Sequence, residues 1–192
     1  DDNKIVEHCN SFGAQCILIQ DHCVNGTERV AKCLQILNLN CDLVLNVQGD
    51  EPFINPDDID LLINNYKEAF CSTLHYEVKN LEDLHNTNIV KMIVDQNNNV
   101  IYGSRGMIPF HKSGNSLPNV KYIAHIGIFL FQKKFLFKFL KYPNTPVQMS
   151  EDLEWLKIIE MGEKLTSYEV NEPEIGVNTI DDYNYLSKKY VK

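Results

Sequence analysis

The sequence predicts an α/β fold, with an open mixed, mainly parallel sheet flanked by helices and a small subregion that contains a hairpin. Short apolar runs alternate along the chain with segments in which apolar residues recur at helical spacing. The run at residues 41–47 is almost continuously apolar, which is typical of a central parallel strand covered on both faces. Because the 192 residues contain no internal repeat and no linker of biased composition, we expect a single domain over residues 1–192.

The first part of the chain is expected to alternate helices and strands. One helix ends at Gly13, and another begins at Gly26 because Val30, Leu34 and Leu37 then share one apolar face. The elements expected up to residue 70 are, in order, a helix at 4–12, a buried strand at 15–19, a helix from 26, a strand at 41–47 and a helix at 57–70.

The rest of the chain continues this alternation. Residues 97–99 are consecutive asparagines, which are typical of a turn and predict that the flanking strands form a hairpin. The elements expected after residue 70 are, in order, strands at 71–78, 89–95 and 100–104, an exposed loop at 111–120, a strand at 125–131, helices at 133–142 and 147–161, a strand at 164–170 and a helix at 179–190.

Charge and composition narrow the classes of function. The formal net charge of −8 argues against a broad basic face of the kind that binds nucleic acid or acidic membranes. No signal peptide and no membrane-spanning stretch are visible, so we expect a cytoplasmic protein, with an organelle such as a plastid as the alternative. The 6 cysteines include no Cys-x-x-Cys pair, which favours reduced, buried thiols over disulfides or a zinc site.

The chain has two arginines, Arg29 and Arg105, and both lie where a predicted strand has ended. Ligands of open α/β sheets bind outside the carboxyl ends of the strands. Residues 26–29 begin a helix and offer backbone N–H groups and a guanidinium to an anion. Asp50 follows the apolar run and is a candidate ligand for a divalent cation. The alternative interpretations are an ordinary helix cap and, at 49–52, an ordinary turn.

Seven motifs occur in order along the chain, and together they resemble the 3-deoxy-manno-octulosonate (KDO) cytidylyltransferases, also called CMP-KDO synthetases. The most specific of them is Asn46-Val47-Gln48-Gly49-Asp50-Glu51-Pro52. The others are Asp21-His22 with Asn25-Gly26-Thr27-Glu28-Arg29, Asn88-Ile89-Val90-Lys91, Tyr102 with Ser104-Arg105 and Ile108-Pro109, His125-Ile126-Gly127-Ile128, Glu151 with Leu153-Glu154, and Gly176-Val177. The resemblance covers nearly the whole chain.

The resemblance implies a nucleotidyltransferase-like domain that converts CTP and KDO to CMP-KDO and pyrophosphate, with Mg²⁺ as cofactor. It also implies a role in lipopolysaccharide biosynthesis and a homodimer, with residues 122–131 as candidate interface or, alternatively, as a buried core strand. The site residues that it implies are Asp50 and Arg105 for catalysis, Asn25, Gly26, Thr27 and Arg29 for the nucleotide, Gln48, Arg105, His125 and Glu151 for the sugar, and Asp50 with Asn178 for the metal.

The chain departs from the family pattern in three places. The first strand and the P-A-R-x-x-S-T-R-L-P-G-K loop of the family, which wraps the triphosphate, have no counterpart, so we expect an N-terminally incomplete domain. Asn178 stands where the family has an aspartate ligand of Mg²⁺, and Trp155 stands where it has a glutamine that faces the sugar. Two alternatives therefore stay open: a non-catalytic partner subunit, and a cytidylyltransferase for another acid sugar such as sialic acid. The motif at 46–52 favours KDO.

Overall fold

The computed structural model describes residues 1–66, 70–171, 173 and 175–190. Most of its helices and strands follow one another in the order that the sequence predicts. The helices are α1 (Asn3–Ser11), α2 (Gly26–Leu37), α3 (Pro56–Asn64), α4 (Lys133–Lys141), α5 (Pro146–Glu151), α6 (Leu156–Glu160) and α7 (Ile180–Tyr190), with a 3-10 helix at Leu81–His85. The strands are β1 (Leu43–Val47), β2 (Cys71–Glu77), β3 (Lys91–Val94), β4 (Val100–Ser104), β5 (Ile123–Gln132) and β6 (Leu165–Val170).

The strands form a six-stranded sheet in the order β4-β3-β5-β2-β6, and β1 also pairs with β5. Strand β5 has β2 along one edge. Its other edge is shared by two strands, because β1 pairs with residues 128–132 and β3 pairs with residues 123–124. Between these two ladders the strands β1 and β3 separate, and this opening in the sheet determines where the candidate site lies.

The mixed α/β sheet flanked by helices is confirmed, but the expectation that the sheet is mainly parallel is wrong for the described strands. Only β2 and β6 pair in parallel, and the other four pairs are antiparallel. The reason is that β5 runs opposite to β1, β2 and β3. Strands β3 and β4 form the predicted hairpin, whose turn places Asn98 at a φ of 63°. An apolar run indicates burial and does not indicate strand direction.

Three expected elements differ from the structure. Residues 15–19 form no strand, because none of the described strands pairs with them. The helix expected at 147–161 is two short helices, since Asp152 adopts a left-handed conformation with φ 52° and ends α5. The helix expected at 57–70 ends at Asn64, and residues 67–69 of that expectation lie outside the described residues.

Both faces of β5 are covered within the chain. Phe129 and Phe131 pack in the core cluster that includes α2, α4 and α6, whereas Ile128 and Leu130 pack on the other face, with Leu62 of α3. This alternation follows from the pleat of a strand, which points successive side chains to opposite faces. Residues 122–131 therefore form a buried core strand, and the expectation of a subunit interface there is wrong.

Candidate active site

A cleft of about 550 Å³ lies at the opening between β1 and β3. Its borders are two backbone hydrogen bonds to β5: the Gln48 N–H donates to the Gly127 carbonyl at 3.0 Å, and the His125 N–H donates to the Val90 carbonyl at 2.9 Å. Most of the predicted site residues line this cleft: Asn25, Gly26, Gln48, Asp50, Arg105, His125 and Asn178. The structure thus brings together residues from five separate parts of the sequence.

The amino end of α2 forms one wall of the cleft. Asn25 caps the helix, because its Oδ1 accepts from the Glu28 N–H at 2.9 Å, while its buried Nδ2 has no hydrogen-bond partner among the described residues. Thr27 is buried behind this wall, where its N–H donates to Glu154 Oε2 at 3.0 Å. Thr27 therefore supports the wall and does not line the cleft.

Arg29, predicted on the nucleotide side, lies away from the cleft. Its guanidinium donates to the Ile19 carbonyl at 2.9 Å and lies 3.3 Å from the Asp1 carboxylate. These contacts tie the segment before α2 to the helix. The sequence placed Arg29 correctly in the first turn of α2, but the direction of its side chain depends on a tertiary contact.

Gln48 and Glu154 connect the end of β1 to the segment between α5 and α6. The Gln48 Nε2 donates to Glu154 Oε1 at 3.1 Å. Burial raises the pKa of Glu154, although hydrogen bonds from Thr27 and Gln48 act in the opposite direction. Gly127 lies directly below this pair, because a Cβ on Gly127 would stand 2.5 Å from Gln48 Oε1. The close approach of the backbone is what requires glycine here.

Asp50 and Asn178 meet at the acidic end of the cleft. The Val177 N–H donates to the Asp50 carbonyl at 2.7 Å, which holds the segment that carries Asn178 against the end of β1. Glu51 is close by: its Oε1 accepts from the Gly127 N–H at 3.2 Å, and burial raises its pKa, with a smaller contribution from Asp50.

This corner has the donor chemistry of a magnesium site that a substrate completes. Within the described ranges, no group of three or more His, Cys, Asp or Glu residues forms a ready-made metal site. Mg²⁺ commonly binds one or two carboxylates and takes its remaining ligands from water and substrate phosphates. Asp50 offers one carboxylate and Asn178 one amide oxygen, and both residues line the open cleft, so their donor types fit that requirement.

Arg105 lies at the rim of the cleft and is held there by carbonyl groups. Its Nε donates to the Glu151 carbonyl at 2.9 Å, Nη1 to the Thr87 carbonyl at 3.0 Å, and Nη2 to the Asp152 carbonyl at 3.0 Å. Lys91 is fully buried beneath it and donates to the Arg105 carbonyl at 2.6 Å. Burial lowers the pKa of Lys91 to about 8.

Glu151, predicted in the sugar pocket, lies behind the rim and does not line the cleft. Its carboxylate accepts from the Tyr102 hydroxyl at 3.1 Å, the Ser104 hydroxyl at 2.8 Å and the Arg105 N–H at 3.0 Å. Burial alone raises the pKa of Glu151, but these hydrogen bonds outweigh it and the pKa is lowered. Glu151 therefore anchors the end of β4 and through it Arg105.

His125 contributes an uncharged ring to the cleft. Its Nε2 lies 2.9 Å from Thr73 Oγ1, and its ring centroid lies 5.5 Å from that of Trp155. Burial lowers the pKa of His125 to about 3, with a smaller effect from His75. The imidazole is neutral near pH 7.

Sequence reasoning did not assign a role to three further residues of the cleft: Glu51, Glu154 and Trp155. The signal for Glu154 was its place in the motif of Glu151 with Leu153-Glu154. Among the described lining residues the carboxylates outnumber the cations, with Asp50, Glu51, Asp83, Asp152, Glu154 and Asp182 against Lys79 and Arg105. An anionic ligand in this cleft therefore needs further positive charge, which a metal ion would supply if one bound there.

Comparison with known proteins identifies the family. A family model described as cytidylyltransferase matches residues 1–165. The chain belongs to the cytidylyltransferase family. It is 34% identical over 193 residues to a 3-deoxy-manno-octulosonate cytidylyltransferase of Protochlamydia amoebophila, a match that covers 98% of this chain and 74% of the relative.

Two plant members of the family are more similar to this chain in sequence. The chain is 42% identical over 184 residues to a 3-deoxy-manno-octulosonate cytidylyltransferase of Zea mays, which covers 95% of the chain and 62% of the relative. It is 42% identical over 185 residues to an Arabidopsis thaliana relative named as mitochondrial, covering 95% of the chain and 63% of the relative. The chain thus spans less than two thirds of the length of either plant protein.

A solved structure supports the fold of this chain. It is that of a CMP:2-keto-3-deoxy-manno-octonic acid synthetase complexed with CTP, and it superposes with a TM-score of 0.87 at 23% identity. The match covers 98% of this chain and 77% of the solved one. In the part of the chain that the structure describes, no helix combines the length and apolar character needed to cross a bilayer.

Proposed function

We propose that this protein transfers CMP from CTP to KDO, giving CMP-KDO and pyrophosphate. The observation that carries the proposal is the meeting of Gln48, Asp50 and His125 in one cleft at the strand ends. The names of the relatives at 42% and 34% identity support the choice of CTP and KDO as substrates. A sugar hydroxyl would attack the α-phosphorus of CTP, forming the O–P bond as the bond to the departing pyrophosphate breaks.

The protein's own part in this reaction is to position two anionic substrates and to offset their charge. Asn25 and Gly26 offer N–H groups at the amino end of a 12-residue helix, which favours an anion. Asp50 and Asn178 would hold Mg²⁺, which when bound supplies positive charge at the phosphates. Gln48 and His125, on the β5 side, would orient the sugar. Arg105 would act at the rim, where its carbonyl contacts fix its position.

The partners and compartment belong to the same proposal. We propose a homodimer in the cytoplasm, acting on small molecules and not on nucleic acid or membranes, within lipopolysaccharide biosynthesis. The net charge of −8 supports the absence of nucleic-acid and membrane partners. The mitochondrial name of the Arabidopsis relative makes an organelle the alternative compartment. Light scattering of the purified protein tests the dimer, and microscopy of the tagged full-length protein in its source cells tests the compartment.

The test of the reaction is release of pyrophosphate by the full-length protein. We expect release only when CTP, KDO and Mg²⁺ are all present, and little release when sialic acid replaces KDO. The variant Asp50→Asn should lose most of the activity while keeping the fold. The control is Asn119→Gln at an exposed loop position, which should keep the wild-type activity. A folded wild-type protein that releases no pyrophosphate with KDO contradicts the proposal and favours the non-catalytic partner subunit.

A further inference from the structure

Thr73 makes the contact that determines the protonation pattern of His125. Thr73 is fully buried on β2, and its hydroxyl lies 2.9 Å from Nε2 of His125 on the neighbouring strand β5. The same hydroxyl lies 2.6 Å from the Ile128 carbonyl and 3.4 Å from the Ile126 carbonyl. One hydroxyl therefore contacts a ring nitrogen and two backbone oxygens.

The single proton of the Thr73 hydroxyl has only one favourable place. A carbonyl oxygen can only accept a hydrogen bond, so the 2.6 Å contact with Ile128 requires the hydroxyl to donate there. If the hydroxyl donated to Nε2 instead, two oxygen acceptors would face each other at that distance without a proton. The hydroxyl oxygen must therefore accept from the ring, and Nε2 of His125 carries the proton.

The other ring nitrogen is then a bare acceptor. A neutral imidazole carries one N–H, so a proton on Nε2 leaves Nδ1 with a lone pair. No described residue hydrogen-bonds to Nδ1, and His125 lines the cleft. The ring is neutral because it packs among Phe129 and Trp155. A ligand in the cleft therefore meets a hydrogen-bond acceptor at this position.

We propose that Thr73 is a positioning residue that fixes His125 as the Nε2–H tautomer, so that Nδ1 accepts a hydrogen bond from a hydroxyl of the acid sugar and not from its carboxylate. The identity of the ligand rests on the proposed function, whereas the tautomer does not. A carboxylate is acceptor-only when ionised, so it gains nothing from a bare nitrogen. The sugar carboxylate must then bind a cation elsewhere in the cleft.

Nitrogen-detected imidazole NMR of the full-length protein tests the tautomer without any substrate. The chain has 6 histidines, and the signals lost in His125→Gln assign those of His125. We expect Nε2 to resonate as a protonated nitrogen and Nδ1 far downfield as a bare one at pH 7. In Thr73→Val, which removes the hydroxyl, the two tautomers should become mixed, whereas Thr73→Ser should retain the wild-type pattern.

The NMR outcomes decide the assignment in every case. A wild-type spectrum with the proton on Nδ1 overturns it, and so does a Thr73→Val spectrum identical to that of the wild type. If Thr73→Val does not fold, Thr73→Ala, which also lacks the hydroxyl, replaces it, and a wild-type pattern in that variant overturns the assignment. A serine variant with the proton on Nδ1 also contradicts the proposal.

Kinetics of the same variants test the sugar hydroxyl. His125→Gln keeps an N–H donor for Thr73 but removes the Nδ1 acceptor, so we expect the KM for KDO to rise about tenfold with the KM for CTP changed less than about twofold. Among monodeoxy analogues of KDO, one should bind wild type and His125→Gln equally. If every monodeoxy analogue binds the two proteins with different affinities, the hydroxyl contact is overturned. Absence of any KDO-dependent reaction in wild type removes the proposed function and the sugar contact, while the tautomer assignment stands on the spectra.

Discussion

The indole ring of Trp155 lies directly against the backbone of Gly103. A Cβ on Gly103 would stand 2.0 Å from Cη2 and 2.5 Å from Cζ2 of the indole. The tryptophan is buried, and its ring lies 5.5 Å from that of His125. Strand β4, Trp155 and His125 therefore pack together at the cleft. Gly103 has no side chain, and the indole of Trp155 occupies the space that a Cβ would fill.

Gly103→Ala should lower the free energy of unfolding by about 1–3 kcal/mol, because the indole cannot move away from a backbone-attached methyl group without leaving its packed position. Urea denaturation measures the change. The matched control is Gly49→Ala, since a Cβ there meets nothing within 4 Å. Equal stability of the two alanine variants would show that Trp155 repacks at no cost.

Gly127→Ala should affect activity more than stability. The added methyl group would lie 2.5 Å from Gln48 Oε1 and 3.2 Å from Glu51 Cγ, and both atoms belong to side chains that can rotate. We expect the unfolding midpoint to change little and kcat/KM with KDO to fall about tenfold, which corresponds to about 1.4 kcal/mol. In a Gln48→Ala background the same substitution should cost much less, and additive losses would contradict a shared cause.

Much of the fold could be predicted from the sequence because burial leaves a periodic pattern. The near-continuous apolar stretch at residues 125–131 predicts a strand, and β5 occupies that position. Its direction relative to β1 and β2 could not be predicted, since the same apolar residues suit parallel and antiparallel neighbours. The break at Asp152 was also missed, because an aspartate in a left-handed conformation leaves no signal as strong as Gly or Pro.

The candidate site was predicted better in position than in side-chain direction. Motif order placed Gln48, Asp50 and His125, which do meet in one cleft. Arg29 and Glu151 belong to two other motifs of the same series, yet one binds the segment before α2 and the other binds the end of β4. Such directions depend on partners distant in sequence.

Glu28 and Lys157 form a buried ion pair, and we expect removal of the Glu28 charge to lower the free energy of unfolding. Lys157 Nζ lies 3.8 Å from Glu28 Oε1 and 4.4 Å from the Phe139 ring centroid, and no described residue hydrogen-bonds to it. Burial lowers the pKa of Lys157, and Glu28 opposes that effect. Glu28→Gln leaves a buried cation without a counterion and should cost about 2–4 kcal/mol of unfolding free energy.

Adding Lys157→Met to Glu28→Gln should recover part of that loss, because the uncompensated charge is then absent and the methionine packs in the same space. Urea denaturation of both single variants and the double variant gives the coupling free energy. A double variant less stable than Glu28→Gln alone would mean that Lys157 stabilises the fold through its packing and not through its charge.

The stability of the protein should decrease on acidification through His125. Its pKa is lowered from 6.5 to about 3 in the folded protein, so between these values the unfolded chain binds a proton that the folded chain does not. The contribution of His125 is therefore fully present above pH 6.5 and is lost as the pH falls toward 3. From pH 7 to pH 5 we expect a loss of about 1–2 kcal/mol.

Urea denaturation of wild type and His125→Gln at both pH values isolates this contribution. The difference in unfolding free energy between the two proteins should shift in favour of the variant as the pH falls. Buried His75 also has a lowered pKa and contributes with the same sign in both proteins. A difference between the proteins that is independent of pH would show that His125 is protonated in the folded state as easily as in the unfolded chain.

Asn178→Asp should strengthen the response to Mg²⁺ if Asn178 and Asp50 face one ion. The hydrogen bond of 2.7 Å between the Val177 N–H and the Asp50 carbonyl ties the backbone beside Asn178 to that of Asp50, and both residues line the cleft. A second carboxylate increases the attraction for a divalent cation. Without metal it also adds repulsion toward Asp50 and Glu51, so the variant should be less stable than wild type in chelator.

Thermal unfolding of the substrate-free protein in chelator and in Mg²⁺ measures this response apart from activity. We expect a larger rise in Tm with Mg²⁺ for Asn178→Asp than for wild type, because a ligand that binds only the folded state stabilises it in proportion to its affinity. Asn119→Asp adds the same charge on an exposed loop and should respond to Mg²⁺ as wild type does. An equal rise in all three proteins would show that residue 178 does not contact the ion.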